Sequence, residues 1–174
     1  MKSKLQKLCA CPEAIEWVGD RTLQQAFNDC ERADWMLWLA ARMIGKPGWP
    51  THQQVVLAAC VCAESVLDIF EKKYPSDAQP RAAIAAARKW AKKPTKKNAA
   101  YAHAAYAAYA ADAAADSSFS LLPFAAAHAA HAAHAYAADA AVYAAAAARK
   151  EHSQKMAVKI RKILKFDFSV AEIA

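Results

Sequence analysis

His128, His131, Asp112 and Asp116 lie in an alanine-rich stretch running from Ala99 to Ala148. Imidazole nitrogens and carboxylate oxygens are ligands for zinc and for redox-active first-row metals. If the stretch folds as two helices, Asp112 and Asp116 share one side of the first, which also carries His103, and His128 and His131 share one side of the second. An ion held between them would use these four side chains. No E-x-x-H or H-E-x-x-H pairing is present to supply a ready ligand set. The spacing of His128, His131 and His134 drifts around a helix and turns the third imidazole away from the first. The pattern therefore favours a Tyr–Asp–His hydrogen-bond network, which satisfies buried polar groups between small-residue helices. No metal and no other cofactor is expected.

Asp112 and Asp116 are also a carboxylate pair of the kind that performs acid–base chemistry, but a four-residue spacing is common on ordinary helices. The chain carries no nucleophile elbow, phosphate loop or dinucleotide fingerprint. Nothing in it argues for an enzyme.

The five cysteines include two C-x-C pairs, Cys9/Cys11 and Cys60/Cys62. Residues two apart on a helix point about 200° apart, so Cys60 and Cys62 cannot easily face one zinc ion. Reduced, mostly buried thiols in a cytoplasmic protein are expected. Residues 1–7 contain no apolar core of a signal peptide, and no long stretch free of ionisable groups suggests a membrane span.

The formal charge of +7 is uneven. Residues 1–87 carry as many acidic as basic side chains, so the whole excess falls in residues 88–174. It gathers on both sides of the alanine run, at Arg88, Lys89, Lys92, Lys93, Lys96 and Lys97 and again from Arg149 to Lys165, including Lys159, Arg161 and Lys162. Such clusters would suit nucleic acid or an acidic protein. They also suit solvated helix ends, where lysine is favourable to the helix dipole.

These residues must be positioned by helices. Only three glycines occur and β-type runs are missing, so an all-α bundle of seven to eight helices is expected. Pro12 opens a helix to Val18, a second covers about Arg21–Cys30, and a third covers about Ala33–Ile44 before Gly45 and Pro47. Thr51 and Gln54 form a capping box for a helix ended by Pro75. Another runs from Pro80 to about Lys92, and Thr95 caps the first alanine helix. The second alanine helix begins near Phe124 and either continues to about Lys165 or bends near His152–Ser153. Ser169 with Glu172 is placed to cap a last short turn. The two alanine helices should pack as a close antiparallel hairpin. The expected layout is one domain over 1–174, with a short-helix bundle (1–93), the hairpin (95–150) and a basic C-terminal helix and tail (151–174).

The segment from Cys30 to Arg42 places Trp35, Trp38, Leu39 and Arg42 on one helical side. Trp38 is expected to anchor the core. Trp35 and Arg42 are candidate partner contacts, since Trp and Arg dominate interface hot spots.

Several blocks together carry a resemblance: Gly19-Asp20-Arg21, Cys30-Glu31-Arg32-Ala33-Asp34-Trp35-Met36-Leu37-Trp38, Ala58-Ala59-Cys60-Val61-Cys62-Ala63, Pro80 to Ala91, and the Ala/Tyr-rich tail. In this order, over nearly the whole chain, the sequence resembles the alanine-rich immunity proteins, family five type, of bacterial polymorphic toxin systems. One departure is Gln79-Pro80-Arg81, where that family reads Arg-Pro. The resemblance implies a non-enzymatic protein that neutralises a cognate toxin by binding, and adds Asp34, Arg81 and Arg88 to the candidate contacts. An inhibitor with this net charge would suit an acidic toxin face. The alternatives are a nucleic-acid or nucleotide-binding protein using the basic clusters, and a metal-binding helical protein using the His/Asp set.

Overall fold

The computed structural model describes residues 1–73, 75–98 and 146–173. The expected alanine hairpin and its His128, His131, Asp112 and Asp116 lie outside the described residues. Every regular element among the described residues is a helix: α1 (Lys2–Lys7), α2 (Pro12–Val18), α3 (Leu23–Asp29), α4 (Ala33–Arg42), α5 (His52–Lys73), α6 (Gln79–Lys92) and α7 (Ala146–Ile163). The protein is all-α, as its composition implies.

The chain divides into two compact units, one made of Met1–Val55 with Lys150–Ala174 and the other of Val56–Arg149. The basic C-terminal segment from Lys150 falls in the same unit as the N-terminal helices.

Helix starts in the first unit follow local chemistry. Pro12 sits in the first turn of α2, where its missing N–H is harmless. Thr22 and Gln25 form a capping box on α3, with Gln25 N donating to Thr22 Oγ1 at 3.2 Å and Thr22 N to Gln25 Oε1 at 2.9 Å. The N-terminus of α4 is served from a distance. Its first amide, Ala33 N, donates to Ser153 Oγ at 3.3 Å, and that hydroxyl donates to Glu31 O at 3.0 Å. Helix α7 therefore runs unbroken through His152 and Ser153, and Ser153 ties it to the start of α4.

The core of this unit gathers Leu5, Val18, Ala26, Met43, Trp49 and Ile173, with Trp38 and Leu39 packed at its edge. Met156, Ala157, Ile160 and Leu164 are also buried, at the spacing of a single helical stripe. The loop before α5 receives the C-terminal tail. Asp167 N donates to Gly48 O at 2.9 Å, and Trp49 Nε1 donates to Glu172 O at 2.8 Å. Phe166 packs edge-on to Trp49 at 5.1 Å and against Phe27 at 4.4 Å. Gly48 adopts φ +73°, and a Cβ there would lie 2.5 Å from Asp167 O and 2.6 Å from Ala171 N. Glycine is required twice over, by the backbone angle and by the approach of the tail. The last turn is organised by Asp167, whose Oδ1 accepts from Ser169 N at 3.1 Å. The expected Ser169–Glu172 cap is replaced by this shorter-range acceptor.

In the second unit α5 and α6 pack antiparallel, since Glu64 meets Arg88 while Glu71 meets Arg81. The expected Thr51–Gln54 capping box is present, with Thr51 N donating to Gln54 Oε1 at 3.0 Å. The contact is built from Val56, Ala59, Cys60, Ala63, Leu67, Ile84, Ala87 and Ala91. Four alanines let the backbones approach closely enough for Cys60 Sγ to reach Ile84 O at 3.9 Å. Beyond Pro94, Thr95 Oγ1 accepts from Asn98 N at 3.2 Å, capping the helical turn at 96–98 as expected.

Candidate functional site

Three arginines of the first unit lie over three tryptophans. The Arg21 guanidinium stands 4.7 Å from the Trp17 ring centroid, Arg32 4.5 Å from Trp35, and Arg42 5.3 Å from Trp38. Trp17 and Trp35 meet each other at 5.9 Å with a 58° tilt. The order Arg21–Trp17–Trp35–Arg32 thus forms one stack across α2 and α4. The two rings are half-buried and the outer arginines frame them.

Local bonds hold the stack rigid. Arg21 donates to the Trp17 carbonyl and pairs with Asp29 at 3.6 Å. Arg32 makes a two-pronged bond to Asp34, with Nε to Oδ1 at 2.9 Å and Nη2 to Oδ2 at 2.7 Å. The fork matches a carboxylate and fixes the guanidinium plane over Trp35. The Glu13 carboxyl is held below the ordinary carboxylate range, mainly by its own backbone amide, then by Cys11 and by the positive charge of Arg32.

Of the expected contacts, Asp34, Trp35 and Arg42 belong to this unit. Asp34 orients Arg32, and Arg42 covers the half-buried Trp38. Arg81 and Arg88 belong to the other unit and are forked onto glutamates. Arg81 Nε and Nη2 reach Glu71 at 2.7 and 2.6 Å, and Arg88 grips both oxygens of Glu64. The Arg81 fork holds the Glu71 carboxyl below its ordinary range. Any partner contact through Arg81 or Arg88 must share the guanidinium with a resident carboxylate.

The basic clusters divide in the same way. Lys92, Lys93, Lys96 and Lys97 are exposed, as are Lys89, Lys159 and Lys162. Arg161 turns inward. Its Nε donates to Phe27 O at 2.9 Å and its Nη2 to Cys30 O. These carbonyls lie at the C-terminal end of α3, where helix geometry leaves acceptors without partners.

The thiols differ by environment. Cys9 and Cys11 are exposed, while Cys30, Cys60 and Cys62 are buried. Burial pushes the Cys60 thiol up to about 11. Among the described residues no group of three or more His, Cys, Asp or Glu is placed to share a metal ion. No described helix is long and apolar enough to cross a membrane.

Sequence reading singled out Trp35 and Asp34 but passed over Trp17, Arg21 and Arg32. The available signal was the Trp–Arg spacing itself. Trp17 and Arg21 are four apart around a helix end and Arg32 and Trp35 are three apart, both within stacking reach.

Fold and site together define an all-helical protein whose aromatic surface is pinned by its own arginines. A family model described as Imm-5 like putative immunity protein matches residues 49–165, and the chain belongs to that family. The match takes in α5, α6 and all of α7. It begins after the Asp34–Trp38 block and leaves residues 1–48 outside, so its extent is shorter than the resemblance implied. No curated protein and no solved structure matches the chain.

Proposed function

We propose that this chain is a non-enzymatic immunity protein that neutralises a cognate bacterial toxin in the cytoplasm by direct binding. Membership of the family supports the immunity role. The observation that carries the binding mechanism is the Arg21–Trp17–Trp35–Arg32 stack. Tryptophan and arginine are the residue types enriched at interface hot spots, and large rings held by neighbours lose little freedom on association. Inhibition by such a surface needs shape and charge complementarity, with no catalytic group.

The test is co-expression with the toxin domain encoded beside this chain's gene. The wild-type chain should restore growth and co-elute with the domain. Trp35→Ala should raise the Kd at least about tenfold, the equivalent of about 1.4 kcal/mol, while leaving the helical circular dichroism intact. Absence of both rescue and complex overturns the proposal.

A further inference from the structure

We infer that the Trp17–Trp35 face takes a cationic protein surface, opposite in sign to what the chain's net charge suggests. The inference rests on the toxin-binding reading above and specifies the partner's chemistry. Residues 8–41 carry Glu13, Glu16, Asp20, Asp29, Glu31 and Asp34 against only Arg21 and Arg32, a net charge of −4 within a chain of +7. Both arginines are ion-paired, Arg21 with Asp29 and Arg32 with Asp34, and both are drawn over the rings. Each cation on the face is thereby matched by a carboxylate, and the acidic excess falls on Glu13, Glu16, Asp20 and Glu31.

Those four side chains are exposed and lie beside the residues of the stack in sequence. Glu16 adjoins Trp17 on α2, Asp20 adjoins Arg21, and Glu31 adjoins Arg32. Glu13 lies close enough to Arg32 for its charge to be felt. An aromatic centre with an acidic rim meets a partner bearing lysine and arginine around an apolar contact. A rim of this kind speeds encounter with a basic protein and repels an acidic one. Two of the exposed basic residues of α7, Lys159 and Lys162, are spaced along a helix whose Ser153 and Gln154 bond to Glu31, while a third, Lys155, is paired with Glu151. Lys159 and Lys162 serve as the internal control.

Two probes test the inference. The first is titration with an oligo-arginine peptide and, separately, an oligo-aspartate peptide, following the indole N–H resonances. Oligo-arginine should move the Trp17 and Trp35 resonances and oligo-aspartate should not. The reverse, or movement by neither, overturns the inference. The second is the toxin domain used above. Glu16→Lys/Asp20→Lys should weaken the complex at least about tenfold and flatten its salt dependence, whereas Lys159→Glu/Lys162→Glu should leave it equal or tighter. Wild-type binding that is indifferent to Glu16→Lys/Asp20→Lys overturns the inference alone. Failure of the wild-type chain to bind overturns the toxin-binding reading and the inference with it. Thermal melts of both variants separate lost contacts from lost fold.

Discussion

The Arg161 guanidinium donates to the Cys30 carbonyl across 131 positions of sequence, with Phe27 O taken by the same fork at 2.9 Å. A positive side chain here satisfies acceptors that α3 leaves open and complements the negative end of its dipole. Removing it strands two carbonyls. Arg161→Ala should therefore cost about 1.5–3 kcal/mol, read as a lower urea midpoint with an unchanged slope. Arg161→Lys, which offers no fork, should fall between the two. A midpoint equal to wild type for Arg161→Ala would show that the bonds contribute nothing.

Gly48→Ala should cost about 2–4 kcal/mol, the sum of a left-handed backbone angle for a Cβ residue and a clash with the tail. The added carbon would meet backbone atoms of Asp167 and Ala171 that have no flexible end to swing aside. Limited proteolysis should then cut the tail after Leu164 faster than in wild type. An unaltered cleavage rate would rule out this account of the loop.

Ile160 is fully excluded from solvent, whereas Val158, on the same helix, is 51% exposed. Ile160→Ala should lose about 2–5 kcal/mol and Val158→Ala less than about 0.5 kcal/mol in chemical denaturation. Equal losses would contradict the assignment of the buried face of α7.

Cys60 links stability to alkaline pH. Its thiol ionises near 9.0 when unconstrained and at about 11 in the fold, because burial penalises the thiolate. The unfolded state therefore gives up its proton first. The contribution is complete below pH 9 and is lost as pH rises from 9 towards 11. Wild type should lose more stability across that window than Cys60→Ala. Thiol labelling at neutral pH should be fast at Cys9 and Cys11 and should reach Cys60 only on unfolding.

The helices legible in the sequence were those whose signals are local. Pro12, Thr51 with Gln54, and Thr95 mark starts that the structure reproduces, since a cap depends on residues three positions away. Helix α1 was not legible. Its six residues include one buried side chain, Leu5, and helices that short form only when tertiary contacts hold them. The Thr22–Gln25 box was present in the sequence and passed over, which placed the start of α3 at Arg21. At the site, Trp35 was found from residue type. Its pairing with Trp17 could not be, because the contact joins two helices whose crossing no periodicity specifies. Arg161 read as one more member of a basic run for the same reason, as its acceptors belong to a helix at the opposite end of the sequence.

The first unit is assembled from residues 1–55 and 150–174, with everything else inserted between them. A ribosome delivers those parts in order, so the opening helices emerge long before the strip of α7 and the tail that seal them. Leu5, Trp49 and Met43 must wait with their apolar faces uncovered until residues 150–174 leave the exit tunnel. A chain interrupted anywhere before Lys150 would expose that unfinished surface to chaperones and proteases. The first unit would then close in a single late event, once residues 150–174 are available to it.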